Sequence, residues 1–243
     1  MVNFKIRLAD KVIEVNVNYP STKDFCRNYL TDEPVDFSVT VGISDVIAEE
    51  VASQTQENST AKFPPQYLET LALYRKIAKE LASYGVILFH GSAISLDGEA
   101  YVFTAKSGTG KSTHAALWRK VFGERAVMIN DDKPLIAIGE NGVTVYGTPW
   151  CGKHNLGNNI SAPLKAVCIL ERGSDNAIKS VPAKDAFSTL FSQTYRFEDP
   201  IGMKNVLSCI DKMVNSVPTY ILKCNMEDEA ATVAYQGMKG EKK

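Results

Sequence analysis

The sequence predicts a mixed α/β fold, leaning to α+β, with a partly antiparallel sheet built around one glycine-rich loop. Three observations predict it. The loop AKSGTGKST, Ala105 to Thr113, lies between a strand-like run, AYVFTA, and a helix-like run, STHAALWRKVFG. Hairpin signals flank that unit, Asp97-Gly98 before it and Asn141-Gly142 after it, each between apolar runs. The strands therefore arrive as adjacent hairpins instead of alternating with long helices, a pattern different from the doubly wound parallel sheet.

The elements follow in order. Phe4 to Val17 alternates apolar and polar residues on both sides of Ala9-Asp10-Lys11, the pattern of a β-hairpin. Pro20-Ser21-Thr22 starts a short helix through Leu30, and DFSVTVGI, Asp36 to Ile43, reads as a third strand. From Glu49 to Pro65 the chain is polar, with QTQENST and a Pro-Pro pair, and reads as a surface loop or linker. The expectation is a small N-terminal α+β subdomain, residues 1–62, with no pattern that carries chemistry, and a second domain, residues 63–243. In that domain Gln66 to Gly85 is a helix, with Leu68, Leu71, Ala72, Ile77 and Leu81 near helical spacing and Gly85 as its C′ residue. VILFHGSAI is a strand, LDGEA a turn, and YVFTA the strand that feeds the loop. AVMINDD is a strand ending in two carboxylates, PLIAIGENGVTVYGTPW a hairpin and KAVCILER a further strand. Helices follow over Lys184–Ser192 and Gly202–Ser216, then a strand, PTYILKC, and a last helix, MEDEAATVAYQGM. The tail GEKK reads as disordered.

Composition narrows the function classes. With 44% hydrophobic and 23% charged residues the chain reads as a soluble globular protein. A net charge of −1 gives no general attraction to nucleic acid or anionic membrane. The five cysteines form no C-x-x-C pair, and buried reduced thiols suit four of them. No apolar run reaches the roughly 18 residues of a membrane span, and MVNFKIRLAD lacks a signal-peptide core. The expected location is the cytoplasm, with neither nucleic acid nor membrane as partner and homo-oligomerisation left open.

The loop carries the clearest chemistry. Without Cβ atoms, Gly108 and Gly110 let the backbone turn its N–H groups onto phosphate oxygens. Lys111 supplies positive charge for β- and γ-phosphates, Ser112 a hydroxyl for Mg²⁺, and the helix that follows aims its N-terminal dipole at the same point. Lys106, Ser107, Gly108, Thr109, Gly110, Lys111, Ser112 and Thr113 are thus the nucleotide-binding candidates. The motif G-x-x-x-x-G-K-S/T begins here with Ala105, and alanine does not readily take a positive φ. A chance Gly/Ser/Thr-rich turn is the rival explanation.

Asp131 and Asp132 end a strand one helix beyond the loop, so the chain returns them to its neighbourhood. A magnesium-bound nucleotide needs carboxylates and an acceptor hydroxyl needs a base. Neighbouring strand residues face opposite ways, so the two divide the tasks. The metal candidates are Ser112, Asp131 and Asp132; a solvated strand end is the alternative for the pair. His90, after the apolar run VILF, is either a hydrogen-bonded core residue or a site residue at a metal, phosphate or acceptor. His114 inside the loop helix reads as a packing or surface residue. GTPWCGKHN, Gly147 to Asn155, is a natural substrate-contact loop. There Lys153 could meet an anion, Trp150 could equally cover the core edge, and Cys151 and His154 have no evident partner. Arg172 and Arg196 are candidates to neutralise phosphate charge, or plain surface arginines.

HGSAI, a short hairpin, AKSGTGKST and INDD in combination resemble the catalytic core of the HPr kinase/phosphorylase and phosphoenolpyruvate carboxykinase superfamily, over residues 85–170. The GTGKST and H-x-S-A forms are closer to the carboxykinase side, the compact size and short Asp-pair spacing closer to the HPr kinase side. The chain most resembles the small HPr-kinase-like proteins, some of which accompany peptide-modification genes or phosphorylate free serine. The resemblance implies that core fold and a nucleotide site in which Lys111 holds the β/γ-phosphates and Ser112 the magnesium. It implies Asp131 as base or acceptor-orienting residue, Asp132 as a metal-side carboxylate and His90 near the acceptor or a second metal. Thr113 replaces the Glu usual after the loop Ser of HPr kinases, and their C-terminal phosphorolysis loop is not found, which weighs against HPr as substrate. The chain also lacks the length and the upstream arginine and lysine of a carboxykinase.

The combined expectation is a kinase that uses ATP and Mg²⁺, with Mn²⁺ as the alternative ion. It would move the γ-phosphoryl group to a hydroxyl, serine foremost, of a peptide, protein or small metabolite, with Asp131, Lys111 and His90 as catalytic residues. The rivals are a carboxykinase-like lyase, a non-catalytic nucleotide sensor or partner module, and a shikimate-kinase-like or adenylylsulfate-kinase-like enzyme, whose sheet would be parallel.

Overall fold

The alternation of Phe4 to Val17 closes a hairpin of β1 (Val2–Leu8) on β2 (Lys11–Val17). Its turn residues Ala9 and Asp10 are both left-handed, at φ 48° and 59°, a geometry that matches the twist of the strands. The computed structural model describes residues 1–57 and 62–240. It divides into two units, Met1–Leu81 and Ala82–Lys243. In the first, helix α1 (Pro20–Phe25) leads to β3 (Phe37–Thr40), which pairs parallel to β2; α2 (Ile43–Glu57) and α3 (Pro65–Ala82) complete it.

The chain after Glu49, expected as a loop, is helical through Glu57, and Asn58 to Thr60 lie outside the described residues. The expected third strand ends at Thr40, since Ile43 already belongs to α2. Asp45 accepts a hydrogen bond from the Gly42 amide at 2.8 Å, which closes the first turn of α2. One turn apart, Asp45 and Glu49 pair with Lys76 (2.7 Å) and Arg75 (2.8 Å) of α3. Charges hold this helix to its neighbour, so no clean apolar stripe marks it. On α3 the fully buried Glu69 accepts from Asn18 N (2.7 Å), Asn18 Nδ2 (2.8 Å), Tyr19 N (3.1 Å) and Thr22 Oγ1 (2.6 Å). These bonds fasten α3 to the first unit, where the sequence placed a boundary at 62.

The second unit is a nine-stranded mixed sheet. Its strands are β4 (Val86–Leu88), β5 (Ser92–Leu96), β6 (Glu99–Thr104), β7 (Ala126–Asn130), β8 (Leu135–Gly139), β9 (Gly142–Tyr146), β10 (Ser161–Arg172), β11 (Ala177–Val181) and β12 (Thr219–Cys224). They lie in the order β4-β8-β9-β10-β6-β5-β7, with β12 beside β10 and β11 beside β12. The helices are α4 (Lys111–Phe122), α5 (Ala183–Ser192), α6 (Pro200–Ser216) and α7 (Glu229–Met238). Among the described residues of this unit only β10 makes parallel pairs, with β6 and β12. The expected partly antiparallel α/β sheet around the loop is what the chain forms.

VILFHGSAI is two strands, not one: β4 pairs with β8, and β5 pairs with β6 and β7, with the break at Phe89–Gly91. Strand β11 went unread because none of its residues is buried, so it shows no alternation. The Asp97-Gly98 turn is left-handed at both residues (φ 53° and 85°). The later hairpin turns one residue sooner than expected, on Glu140-Asn141, since Gly139 pairs with Gly142. The final residues of GEKK, 241–243, lie outside the described residues.

Because β5 runs antiparallel to both β6 and β7, those two run parallel to each other. Their C-terminal ends and the N-terminal end of β5 therefore meet at one end of the sheet. Trp118 seats α4 on this sheet: fully buried, it lies 5.0 Å from both the Tyr101 and Phe103 rings and 6.0 Å from Tyr235 of α7. Burying a side chain of that size contributes about 2–3 kcal/mol.

Replacing Glu69 by Ala would orphan the amides of Asn18 and Tyr19 inside the first unit. Urea unfolding of the full chain is expected to show a loss of about 3 kcal/mol; a loss under about 1 kcal/mol would mean that this carboxylate is not the fastening.

Candidate functional site

Strand β6 ends at Thr104, and the chain turns through Ala105–Gly110 into α4. Gly108 (φ 76°) and Gly110 (φ 121°) take left-handed conformations closed to most side chains. Ala105 is not among the left-handed residues and is buried, so alanine costs nothing at the first motif position. Gly110 precedes α4 with no side-chain cap on the helix. Lys111 Nζ donates to Ala105 O at 3.3 Å. Lys106, Ser107, Gly108, Ser112 and Thr113 are exposed, while Thr109, Gly110 and Lys111 are half-buried. Arg172, at the end of β10, donates to Gly108 O at 2.6 Å and approaches Thr109 O at 3.5 Å. It therefore grips the loop by its carbonyls. Arg196 is exposed, 5.6 Å from the centre of the Phe191 ring.

The Asp pair lies just past the end of β7 at Asn130, so the strand alternation expected to divide the two does not apply to it. Asp131 is buried and accepts from Ser92 Oγ at 2.6 Å. Asp132 pairs with Lys133 Nζ at 2.7 Å and lies 3.6 Å from His90 Nε2. Burial lowers the Lys111 pKa, and Asp132 and then Asp131 oppose that shift, so both carboxylates act on the loop lysine. Burial first, then Lys111, lowers the His90 pKa against the pull of Asp132; the imidazole is neutral at pH 7. The backbone holds His90 in place: its amide donates to Gln193 O (2.7 Å), its carbonyl accepts from Thr104 Oγ1 (3.0 Å), and Gly91 N donates to Asp132 O (3.1 Å). The structure thus brings His90, Lys111, Asp131 and Asp132 together.

Asn130, fully buried, orders this end of the sheet. Its Oδ1 accepts from the amides of Asp132 (2.8 Å) and Lys133 (2.7 Å). Its Nδ2 donates to Thr148 Oγ1 (2.9 Å), Thr148 O (3.2 Å) and Trp150 O (3.3 Å). One amide thereby joins the Asp pair to the GTPWCGKHN loop. In that loop Trp150 and Cys151 are buried, and Lys153 and His154 are exposed. Gly152 (φ 72°) passes so close that a Cβ there would sit 3.0 Å from Asp132 Cβ. The Cys151 thiol contacts Asn155 Oδ1 (3.3 Å) and Pro149 O (3.4 Å), and burial raises its pKa, so it is a structural thiol rather than a nucleophile. Ser92, Asn130 and Gln193 went unread in the sequence. A polar residue beside the motif was the available signal for the first two; Gln193 carries none.

His114 is buried. Its Nε2 accepts from Trp118 Nε1 at 3.1 Å, and burial lowers its pKa to about 4. Among the described residues no group of three or more His, Cys, Asp or Glu could hold a metal. Ser112, Asp131 and Asp132 are hard oxygen donors, few in number. That suits Mg²⁺, which takes one or two carboxylates, keeps several waters and completes its shell with phosphates.

The fold and this site define a mixed α/β protein in which a glycine-rich strand–loop–helix unit meets a carboxylate pair at one sheet end. Residues 58–231 match the family model described as SynChlorMet cassette protein ScmC, and the chain belongs to that family. No curated relative matches it. Among solved structures it is similar to the HPr(Ser) kinase/phosphatase from Coxiella burnetii, with a TM-score of 0.37 and 10% identity over 63% of this chain and 93% of that one. At that degree of likeness no chemistry passes from one protein to the other. No described helix is long and apolar enough to cross a membrane.

The depressed His114 pKa has a pH signature. In the unfolded chain the group protonates near its ordinary value, but in the fold only near 4, so its contribution is complete above about pH 6.5 and lost as pH falls towards 4. From pH 7.5 to pH 5.0 urea unfolding should show a loss of about 2 kcal/mol from this residue, and His114→Phe should flatten that slope.

Proposed function

We propose that the protein binds a nucleoside triphosphate with Mg²⁺ at the Ala105–Thr113 loop and transfers its γ-phosphoryl group to an acceptor hydroxyl. The observation that carries this reading is the convergence of the loop lysine, Lys111, with Asp131, Asp132 and the neutral His90. The nucleotide supplies the phosphoryl group, and the ion screens its charge. The loop amides, the α4 N-terminus and Lys111 bind and orient the phosphates. Ser112 and Asp132 are the metal-side oxygens. Asp132 already carries the Lys133 ion pair. Asp131, which among the described residues has no ion pair with a neighbouring lysine and is held by the Ser92 hydroxyl, is the base we assign to the acceptor proton. Ser92 positions it, and His90 helps to hold the acceptor. Serine of a peptide, protein or metabolite is the acceptor class we favour.

The test is transfer from γ-labelled ATP with Mg²⁺ in an extract of the source cell. Label should appear with wild type and vanish with Lys111→Ala; equal labelling by both proteins would sink the proposal. A labelled protein band identifies a protein kinase, a labelled small molecule a metabolite kinase. Asp131→Asn should keep nucleotide affinity within about threefold and lower transfer by about 100-fold or more, measured by calorimetry and initial rates. Normal transfer by that variant would remove Asp131 from its role.

A further inference from the structure

Beside the loop lies a cavity of about 520 Å³ that the reading above does not use. Gly108 and the first turns of α4 form one wall, with His114 and Leu117. Leu170 and Arg172 of β10 form another, and Met226 stands at the rim. Ligand sites for groups of nucleoside size fall in this volume range and are mostly apolar with a few polar groups. Two features of the lining are unusual. Met226 leaves 77% of its surface exposed, a flexible thioether suited to covering a flat ring. And His114, 3% exposed, has no hydrogen-bond partner for Nδ1 among the described residues.

The tautomer of His114 follows from its partner. Trp118 Nε1 can only donate, so His114 Nε2 accepts, and in the neutral imidazole the proton must sit on Nδ1. Nδ1–H is then a buried donor without an acceptor, a costly state that a bound acceptor would relieve. We propose that this cavity takes the base of the nucleotide, and that His114 is its specificity residue, selecting adenine over uracil by donating from Nδ1–H to a ring-nitrogen acceptor, which uracil lacks, while Leu117, Leu170 and Met226 cover its faces. The inference rests on the nucleotide reading of the loop. It adds which face of the site holds the base and which chemistry chooses it. Arg172 has a double place here, since it lines the cavity and holds the Gly108 carbonyl.

The experiment is calorimetric titration of the full chain, with Mg²⁺, using ATP, UTP and inorganic triphosphate. Wild type should bind ATP about tenfold or more tightly than either of the others. His114→Phe keeps the aromatic packing and removes the donor; it should lower ATP affinity about tenfold and leave inorganic triphosphate unchanged. Met226→Ala, at an exposed position that does not threaten folding, should lower ATP affinity several-fold, again with triphosphate unchanged. Equal wild-type affinity for ATP and inorganic triphosphate would overturn the base site and leave the phosphate reading of the loop standing. An unchanged ATP-to-UTP ratio in His114→Phe would remove His114 as the selector. Binding of none of the three would overturn the cavity proposal and the nucleotide reading together.

Discussion

Strand β5 runs between β6 and β7 and opposite to both, and everything at the candidate site depends on that constraint. A strand that ends in a glycine loop and a strand that ends in carboxylates can share one end of a sheet only if they run the same way. The antiparallel strand between them begins at that same end. It therefore delivers Ser92 to Asp131 and sets His90, just before it, near Asp132. An all-parallel sheet would bring the loop and the carboxylates together but would offer no strand start from which to hang the serine and histidine.

Rigidity at that end comes from two places. Below the loop, Trp118 and the rings around it fix α4 against the sheet, and so fix the direction in which the helix N-terminus points. Beside the carboxylates, the single amide of Asn130 satisfies two backbone N–H groups on one side and reaches two backbone carbonyls on the other. A buried amide with all its hydrogen bonds made is costly to disturb. The Thr148–Trp150 turn and the Asp pair are thus coupled through one side chain, and movement of that turn would be felt at Asp132.

Much of this was legible in the sequence, for physical reasons. The loop could be read because glycines at positions of left-handed φ and a lysine at a fixed offset make an ordered run, GTGKST, that occurs once in the chain. The hairpins could be read because Asp-Gly and Asn-Gly pairs have few other uses. What stayed hidden was held by partners distant in the chain. Helix α2 is secured by ion pairs to Arg75 and Lys76, so its residues look like those of a polar loop. VILFHGSAI is apolar enough for one strand, and only the pairing of its halves with different neighbours divides it. Gln193 meets His90 through its backbone carbonyl and a side-chain hydrogen bond, from a position far along the chain that no motif connects to it. The position of Ala105 shows the converse: its departure from the motif looked costly until its backbone proved to lie outside the left-handed region.

Helix α4 starts at a glycine, without the serine, threonine or aspartate that would bond its first amides. A glycine in that place leaves a helix only about a few tenths of a kcal/mol short of what a serine or aspartate would give. Thr109 stands one residue before the cap and Ser107 three, so neither occupies it. Any anion seated there becomes the missing cap. Its binding free energy and the folding free energy of α4 are then one thermodynamic quantity, linked through the same hydrogen bonds. With an anion bound there, the melting temperature of this chain rises with the logarithm of anion concentration and goes on rising after the helix start is fully closed.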